Sequence, residues 1–507
     1  MKSGENMNDK LDKNIDKIID KVNKLTGKSP DVTIKKIKIS NTYMATIYIE
    51  TISDSEQINN FILKTVEKEI LYDKKITSKN ILDVMFNSIA GASMKKISTY
   101  KDLMHNLFNG FGIVIMEDTK EAIAVETRRN LSRGINEATS EAIVRGPKDG
   151  FTENIILNIG LIRRRIKDPK LWIHEINVGQ RSNTKIGVTY IKDIAEQSLV
   201  DEIIKKIENI DIDAIIDSGY LRELIENDKK SNFPTIMSTE RPDRASQALL
   251  EGKVIIIVDN TPFVLIIPTF LVDYFHTPED YYQKSSNMTF IRIIRFLAFI
   301  ISIITPAYYV AVTTHNYSSI PTGLLLNFAS QRQGVPFPGF IEALIMMITF
   351  EILKESDIRL PSAAGSAVSI LGGLVLGDAA VSAGIVSPIM VIVISITAIS
   401  SLVFSSVDVI SAIRTWRIVF LFAAAFFGIY GIVLLSIYFI IKLCSIKSFG
   451  KPFCFPFAPF NLSEQKDSII RMPKNKLIKR NPLTAKSNLT RYVPKDTIGD
   501  EQWKNCY

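Results

Sequence analysis

Cysteine and histidine are scarce in this chain of 507 residues. It holds three cysteines, Cys444, Cys454 and Cys506, and four histidines, His105, His174, His276 and His315. All the cysteines lie at or beyond the last hydrophobic stretch, so neither a disulfide framework nor a zinc spacing can be built from them. The histidines are scattered without metal spacing, and ordinary surface or hydrogen-bonded positions account for them. Enzyme motifs are lacking too: there is no GxxxxGK[ST], no HExxH and no GxSxG. Asn109-Gly110-Phe111-Gly112 carries half of a dinucleotide fingerprint, but Ile115 stands where the third glycine belongs, so a turn entering a strand is expected there. No catalytic residue, cofactor or metal is expected. The opening segment, MKSGENMNDKLDKNIDK, lacks the apolar run of a cleaved secretory signal.

What is present is unevenly spread. Apolar residues make up 46% and charged residues 22% of the chain, with a mean hydropathy of +0.14. From about 290 to 443 the sequence is mostly Ile, Leu, Val, Phe, Ala and Gly, whereas both flanks are rich in Lys, Asn and Asp. This distribution predicts an integral membrane protein with a large water-soluble portion, the part before position 290 staying in the cytoplasm. The net charge of +8 owes much to the tail, where Lys466, Arg471, Lys474, Lys476, Lys479, Arg480, Lys486, Arg491 and Lys495 meet few acids. A basic tail beside a membrane segment points to lipid headgroups and to topology, not to nucleic acid.

The expected fold is an α/β cytoplasmic N-terminal region of two subdomains followed by an all-α polytopic membrane domain. Residues 1–30 read as a mobile polar segment. Residues 31–140 form the first α/β subdomain, with strands on both sides of Asn41, helical spacing at Ile58, Ile62, Val66 and Ile70, and a hairpin at 112–127. Residues 141–285 form the second. There Arg145-Gly146-Pro147-Lys148-Asp149-Gly150 is a turn-rich loop, and Thr152 is the expected N-cap of a helix running to Arg165. Arg163, Arg164 and Arg165 fan around that helix, which favours structural ion pairs or subunit contacts over one shared ligand. The apolar stretch 254–267 is interrupted by Asp259-Asn260 and flanked by prolines, so a buried hairpin is expected and not a span.

The membrane domain, 286–445, contains hydrophobic blocks at about 293–312, 322–353, 364–384, 386–406 and 417–443; residues 446–507 form the basic cytoplasmic tail. Gln331-Arg332-Gln333-Gly334-Val335-Pro336-Phe337-Pro338-Gly339 breaks the second block into pieces expected to be too short to cross separately. Such a break is tolerated only where protein or a water-filled cavity covers the open backbone. Arg292 and Arg295 mark the inner end of the first block, and the basic tail also argues for the inside. Both termini inside require an even number of crossings. Treating the second block as re-entrant or interfacial leaves four spans, at the cost of placing Arg414 and Arg417 outside.

In the third block Gly365, Ser369, Gly373 and Gly377 recur every fourth residue, thickened by Ser366. This spacing permits close helix packing, and it equally suits the lining of a narrow aqueous path in a ring of subunits. Asp378 shifts the balance towards the path, because an ionised carboxylate inside a membrane segment needs a cavity, a partner or an ion. Glu342 and Glu351, in the broken segment with Pro336 and Pro338, raise the same question. Lying about 180° apart on one helix, they cannot share a face.

Several long motifs resemble one family. They are Glu141-Ala142-Ile143-Val144-Arg145-Gly146-Pro147-Lys148-Asp149-Gly150-Phe151-Thr152-Glu153-Asn154, Val258-Asp259-Asn260-Thr261-Pro262-Phe263, Glu279-Asp280-Tyr281-Tyr282, Pro336-Phe337-Pro338-Gly339-Phe340-Ile341-Glu342 and Gly373-Leu374-Val375-Leu376-Gly377-Asp378. In this order, over about 90–460, they resemble the GerA family, the A subunits of spore germinant receptors. The resemblance implies a multi-pass protein of the spore inner membrane with both termini on the spore core side. Its implied partners are a transporter-like B subunit that binds the germinant and a lipoprotein C subunit. It also implies a homo-oligomeric ring, a pentamer, whose membrane helices pass monovalent cations when germinant binds. The loop carrying Arg145, Gly146, Pro147, Gly150, Thr152 and Glu153 is expected to be structural or a subunit interface. Two other readings stay open: an ion channel like the stage V sporulation protein AF, without its own germinant-binding subunit, and a membrane scaffold that clusters receptors.

Overall fold

A computed structural model describes residues 9–39, 42–58, 86, 93–129, 137–229, 231–359, 375 and 377–492. The chain divides into two compact units. One comprises Met1–Asn227, Ile236–Pro268 and Lys474–Tyr507, the other Asp228–Thr235 and Thr269–Pro473.

The first unit is built on two antiparallel sheets. Strands β1 (Val32–Ile39), β2 (Thr42–Ile49), β3 (Met94–Ile97), β4 (Phe111–Met116) and β5 (Ala122–Glu126) lie in the order β1-β2-β4-β5-β3. Strands β6 (Leu171–Val178), β7 (Thr184–Ile191), β8 (Met237–Thr239), β9 (Val254–Val258) and β10 (Val264–Ile267) lie in the order β6-β7-β9-β10-β8. The two orders are the same, shifted by five strands, and each sheet is preceded by a helix, Ile15–Thr26 or Ile155–Arg165. Topologically, the unit is one motif used twice. The stretch 254–267 is the expected hairpin: Leu265 pairs with Ile256, and Asn260 takes a positive φ in the turn.

Residues 15–26 depart from the expectation of a mobile N-terminus. Ile15, Ile18 and Val22 repeat at helical spacing and are fully buried in the cluster that contains Ile47, Ile113, Ile115 and Leu103. Asn14 caps the start by accepting from the Asp16 and Lys17 amides, and Gly27 ends the helix at φ +64. The Lys, Asn and Asp between these positions dilute the pattern in sequence but occupy the outer face. The helical repeat expected at 58–70 lies outside the described residues beyond Ile58.

Asn154, and not Thr152, is the N-cap of Ile155–Arg165; its Oδ1 accepts from the Ile156 and Leu157 amides. Thr152 packs behind it, its amide donating to Asn158 Oδ1 at 2.8 Å. Asn154→Ala is expected to lower stability by about 1 kcal/mol, read as a small fall in the denaturation midpoint of the full chain. From the same helix Arg163, fully buried, reaches Asp31 with two donors at 2.9 and 3.0 Å and the Leu171 carbonyl at 2.7 Å. Arg165 pairs with Asp149. These are the structural ion pairs that the arginine run suggested.

Two bases of the tail are engaged within the sheet unit, while Lys466, Lys474, Lys476 and Lys479 are exposed. Lys486 pairs with Glu196 and Arg491 with Glu251, and Ala485 bridges to Ala195. The segment 446–473 belongs instead with the helical unit, as do residues 269–285.

The second unit is helical, with Ser285–Thr314, Thr322–Gln331, Gly339–Arg359, Pro388–Ser401 and Val407–Ser445 as its principal described helices. Ser285–Thr314 and Val407–Ser445 are apolar and long enough to cross a membrane. Two corrections arise. Gly339–Arg359 has 21 residues, about 31 Å at 1.5 Å per residue, so its length suffices to cross, although Glu342, Glu351, Lys354 and Glu355 leave it outside the set of helices apolar enough to do so. The last block is not one span. At Gly428 the backbone takes φ 59 and ψ −143, and the Trp416 and Phe439 rings, which a straight helix would hold about 35 Å apart, stand 4.7 Å apart. Residues 407–427 and 429–445 are therefore antiparallel arms of a helical hairpin. A Cβ on Gly431 would come within 2.4 Å of the Ala423 carbonyl oxygen. Small residues allow that approach, and their run of apolar neighbours hides the turn from a hydropathy reading.

Candidate functional site

Polar groups in the helical unit are gathered at four levels along Ser285–Thr314. The lowest is at its foot. Asp280, fully buried, accepts from Arg292 Nε at 2.9 Å and from Arg295 NH1 at 2.9 Å. Arg292, 1% exposed, also donates to Asp467 at 3.0 Å and to the Ser468 carbonyl at 3.1 Å. The Tyr281 hydroxyl donates to Asp467 at 3.0 Å. Burial, with Asp467 beside it, pushes the Tyr281 phenol well above its ordinary range. Burial also raises the Asp467 carboxyl, against the pull of Arg292. Two basic residues that the sequence offered as topology markers are thus the centre of a clamp between residues 280, 292 and 467.

Next comes a defect with a repair. Pro306 lies inside the helix and has no N–H, so the carbonyl four residues earlier, on Ser302, loses its helical donor. Arg417, 4% exposed, donates its Nε to that carbonyl at 2.6 Å. Beside it Arg414 pairs with Glu351 at 2.8 Å. Sequence reading had treated Arg414 and Arg417 only as a topological cost; the signal that locates Arg417 is the proline in the facing helix.

The third level holds Glu342, fully buried. Its Oε2 accepts from the Ser387 amide, at the start of Pro388–Ser401, at 2.9 Å. Its Oε1 lies 3.3 Å from Arg332. The carboxylate thus joins the linker between the halves of the broken block to a helix N-terminus. Pro336 and Pro338 lie in that linker. Glu342 and Glu351 have separate partners, as their positions on opposite sides of one helix require.

At the top, the hairpin turn is held from outside. Asn316 Oδ1 accepts from the Ile429 amide at 3.1 Å, and His315 Nε2 lies 2.7 Å from the Ala425 carbonyl. The carbonyl can only accept, so His315 donates. Both side chains supply partners to backbone groups that the break at Gly428 leaves without helical ones.

Of the small-residue face, Gly365, Ser366, Ser369 and Gly373 lie outside the described residues. Gly377 is buried, and a Cβ there would touch Val391 at 3.7 Å, ordinary packing against Pro388–Ser401. Asp378 beside it is exposed.

In the sheet unit, the loop with Arg145, Gly146 and Pro147 is exposed, whereas Gly150 and Thr152 are buried. Its base is fixed by Arg241, 1% exposed. Arg241 donates to the Pro147 carbonyl at 2.7 Å, the Glu141 carbonyl at 3.2 Å and Asp243 at 2.8 Å. The Glu153 carbonyl accepts from the Asn260 amide at 2.7 Å. Sequence reading does not single out Arg241; an arginine just before Pro242 at a helix start is the available signal.

The profile of the GerA family, described as Bacillus/Clostridium GerA spore germination protein, matches residues 20–483. Spore germination protein KA of Bacillus subtilis is 41% identical over 90% of this chain and 84% of its own length. Spore germination protein B1 of the same organism is 34% identical over 96% of this chain and 99% of its own. Spore germination protein GerLA of Bacillus cereus is 34% identical over 92% of this chain and 95% of its own. Among solved structures, the N-terminal domain of the A subunit of the Bacillus megaterium spore germinant receptor GerK3 is 32% identical, with a TM-score of 0.41, over 51% of this chain and 96% of that domain. By the family profile and by relatives that it matches along nearly their whole length, this chain belongs to the GerA family of spore germination proteins.

Proposed function

We propose that this chain is the A-type subunit of a nutrient germinant receptor in the spore inner membrane. In this reading it works with a transporter-like B subunit that binds the germinant and a lipoprotein C subunit. Copies of it form a ring, a pentamer, whose membrane helices open to monovalent cations when germinant is bound. Germinant opens such a path only by binding the open-competent state more tightly than the closed one. The observation that carries the reading is a fully buried carboxylate in an apolar helix, Glu342, paired with Arg332 of the linker, with Glu351, further along the same helix, in a half-buried pair with Arg414. An anchor has no use for buried charge, which is costly in a membrane segment and is retained where ions or conformations are handled.

The hairpin at Gly428 supports a revised topology. Counted as two crossings, the last block brings the total to an even number without a re-entrant second block, so both termini stay on the cytoplasmic, spore core side. Lys442 lies over the Trp416 ring, so Arg414 and Arg417 share an end of the hairpin with Lys442, and the conflict with the positive-inside tendency disappears.

The test is cation flux from proteoliposomes holding the reconstituted complex. Asp378→Asn and Gly373→Leu are each expected to change germinant-triggered potassium release, the first by lowering cation preference and the second by narrowing the path. Unchanged flux in both variants would overturn the pore assignment.

A further inference from the structure

We propose that Glu342, Ser387 and Tyr309 form a binding site for a single alkali cation and that the Arg332 guanidinium holds its place in this structure. The inference deepens the proposed cation path and rests on that reading for its role in the membrane.

Three oxygen atoms carry it. Glu342 Oε1, Ser387 Oγ and Tyr309 Oη are all buried without a hydrogen-bond partner. Tyr309 neighbours Ser387, with Arg332 and Glu342 within electrostatic reach. Glu342 and Ser387 are fully buried and Tyr309 is 7% exposed. Buried polar atoms left unpaired are uncommon, and two neighbouring hydroxyls beside an unmet carboxylate oxygen mark a place built to receive something. The guanidinium comes within 3.3 Å of Oε1 without forming a well-aligned hydrogen bond. It neutralises the charge but leaves the oxygen's directional demand unmet.

The donor chemistry names the ligand. All three atoms are hard oxygens, which select alkali or alkaline-earth ions over transition metals. One carboxylate supplies one negative charge, and the present occupant carries one positive charge. Calcium and magnesium call for more oxygens or for an exacting octahedron, so a singly charged ion such as potassium or sodium fits. Arg332 is also able to leave. Its side chain is 25% exposed, and it sits at the end of Thr322–Gln331, before a linker in which Gly334 takes φ +96. A withdrawn Arg332 would strand a buried carboxylate, so withdrawal and cation entry are coupled.

Thermal unfolding of the full chain in lipid nanodiscs tests this, with potassium chloride replaced stepwise by N-methylglucamine chloride at constant ionic strength. Binding to the folded state raises Tm with cation concentration. Arg332→Gln is expected to show a saturable potassium-dependent rise in Tm, with half-saturation about tenfold lower than in the unaltered chain. Arg332→Gln/Glu342→Gln is expected to show none. Tyr309→Phe, which leaves the arginine in place, is expected to remove the residual potassium dependence of the unaltered chain. A Tm indifferent to potassium in Arg332→Gln, or an equal rise when Glu342 is also replaced, overturns the site. Flux from the reconstituted complex separates the two readings: germinant-triggered flux that persists without potassium-dependent Tm overturns the site and leaves the cation path standing.

Discussion

Asp280→Asn is expected to destabilise the folded chain by about 3–5 kcal/mol, the usual cost of removing one partner from a buried ion pair. Asparagine keeps the shape and an acceptor but discards the charge that two guanidiniums face. Arg292, whose own side chain has no exposure, retains Asp467 at 3.0 Å. Arg295 retains the Phe275 carbonyl and the Thr277 hydroxyl. Neither arrangement offsets two positive charges at one buried position. The check is the denaturation midpoint in detergent micelles, with Asp9→Asn as reference. Asp9 pairs with Lys21 at the surface with half of its side chain exposed, so that loss should fall within about 1 kcal/mol. Equal effects at the two sites would show that the clamp at the foot of the first membrane helix contributes no more than a surface pair.

The second large effect is expected at Gly428. Its φ of 59 with ψ of −143 lies in a region that side chains essentially exclude, at a cost of about 1–3 kcal/mol. Space is lacking as well, since a Cβ would stand 2.7 Å from Asn316 Oδ1 and 2.8 Å from His315 Cβ. Gly428→Val therefore strains the turn and displaces the two side chains that satisfy its backbone, with about 1–3 kcal/mol more for each buried group left unpaired. Folded protein should fall sharply, or the two arms should separate. Cysteines placed at positions 416 and 439 should be bridged readily by a short thiol-reactive cross-linker in the parent and poorly in the variant. Gly323→Ala is the control: its position is helical and a Cβ there meets nothing within 4 Å. If both variants accumulate and cross-link alike, the hairpin is not held at Gly428.

Sequence reading finds the strands beside Asn41 and the hairpins at 112–127 and 254–267, where β-branched runs and turn residues mark them locally, but not the short edge strands β3 and β8. The hairpin 254–267 is legible from Asp259-Asn260 together with Pro262 and Pro268. It failed where the decisive partner is distant. The helix Ile15–Thr26 is hidden by polar residues between its buried positions, Arg241 looks like a surface base until the chain is folded around it, and for Arg163 the run of arginines suggests an ion pair without naming the distant partner, Asp31. The turn at Gly428 failed for another reason: glycine is common in membrane helices, and nothing in the neighbouring composition distinguishes a packing glycine from one that reverses the chain. Of the sites, Glu342 and Glu351 stand out in the sequence as carboxylates in a hydrophobic block. Their partners, Arg332 and Arg414, come from a linker and from another helix, beyond what spacing reveals.

The proline at 306 turns a local weakness into a mechanical constraint. In an unbroken helix each carbonyl is served from within, and a neighbour can slide or roll past it at little cost. Here the Ser302 carbonyl, denied its usual donor by Pro306, is served from across the gap by a guanidinium that would itself be stranded in an apolar interior if the two parted. A shift of even one helical turn between Ser285–Thr314 and the arm 407–427 would break both ends of that bargain at once. Movement in this part of the molecule is therefore expected to pass through the pair as through a single lever, with play confined to elements not pinned to it.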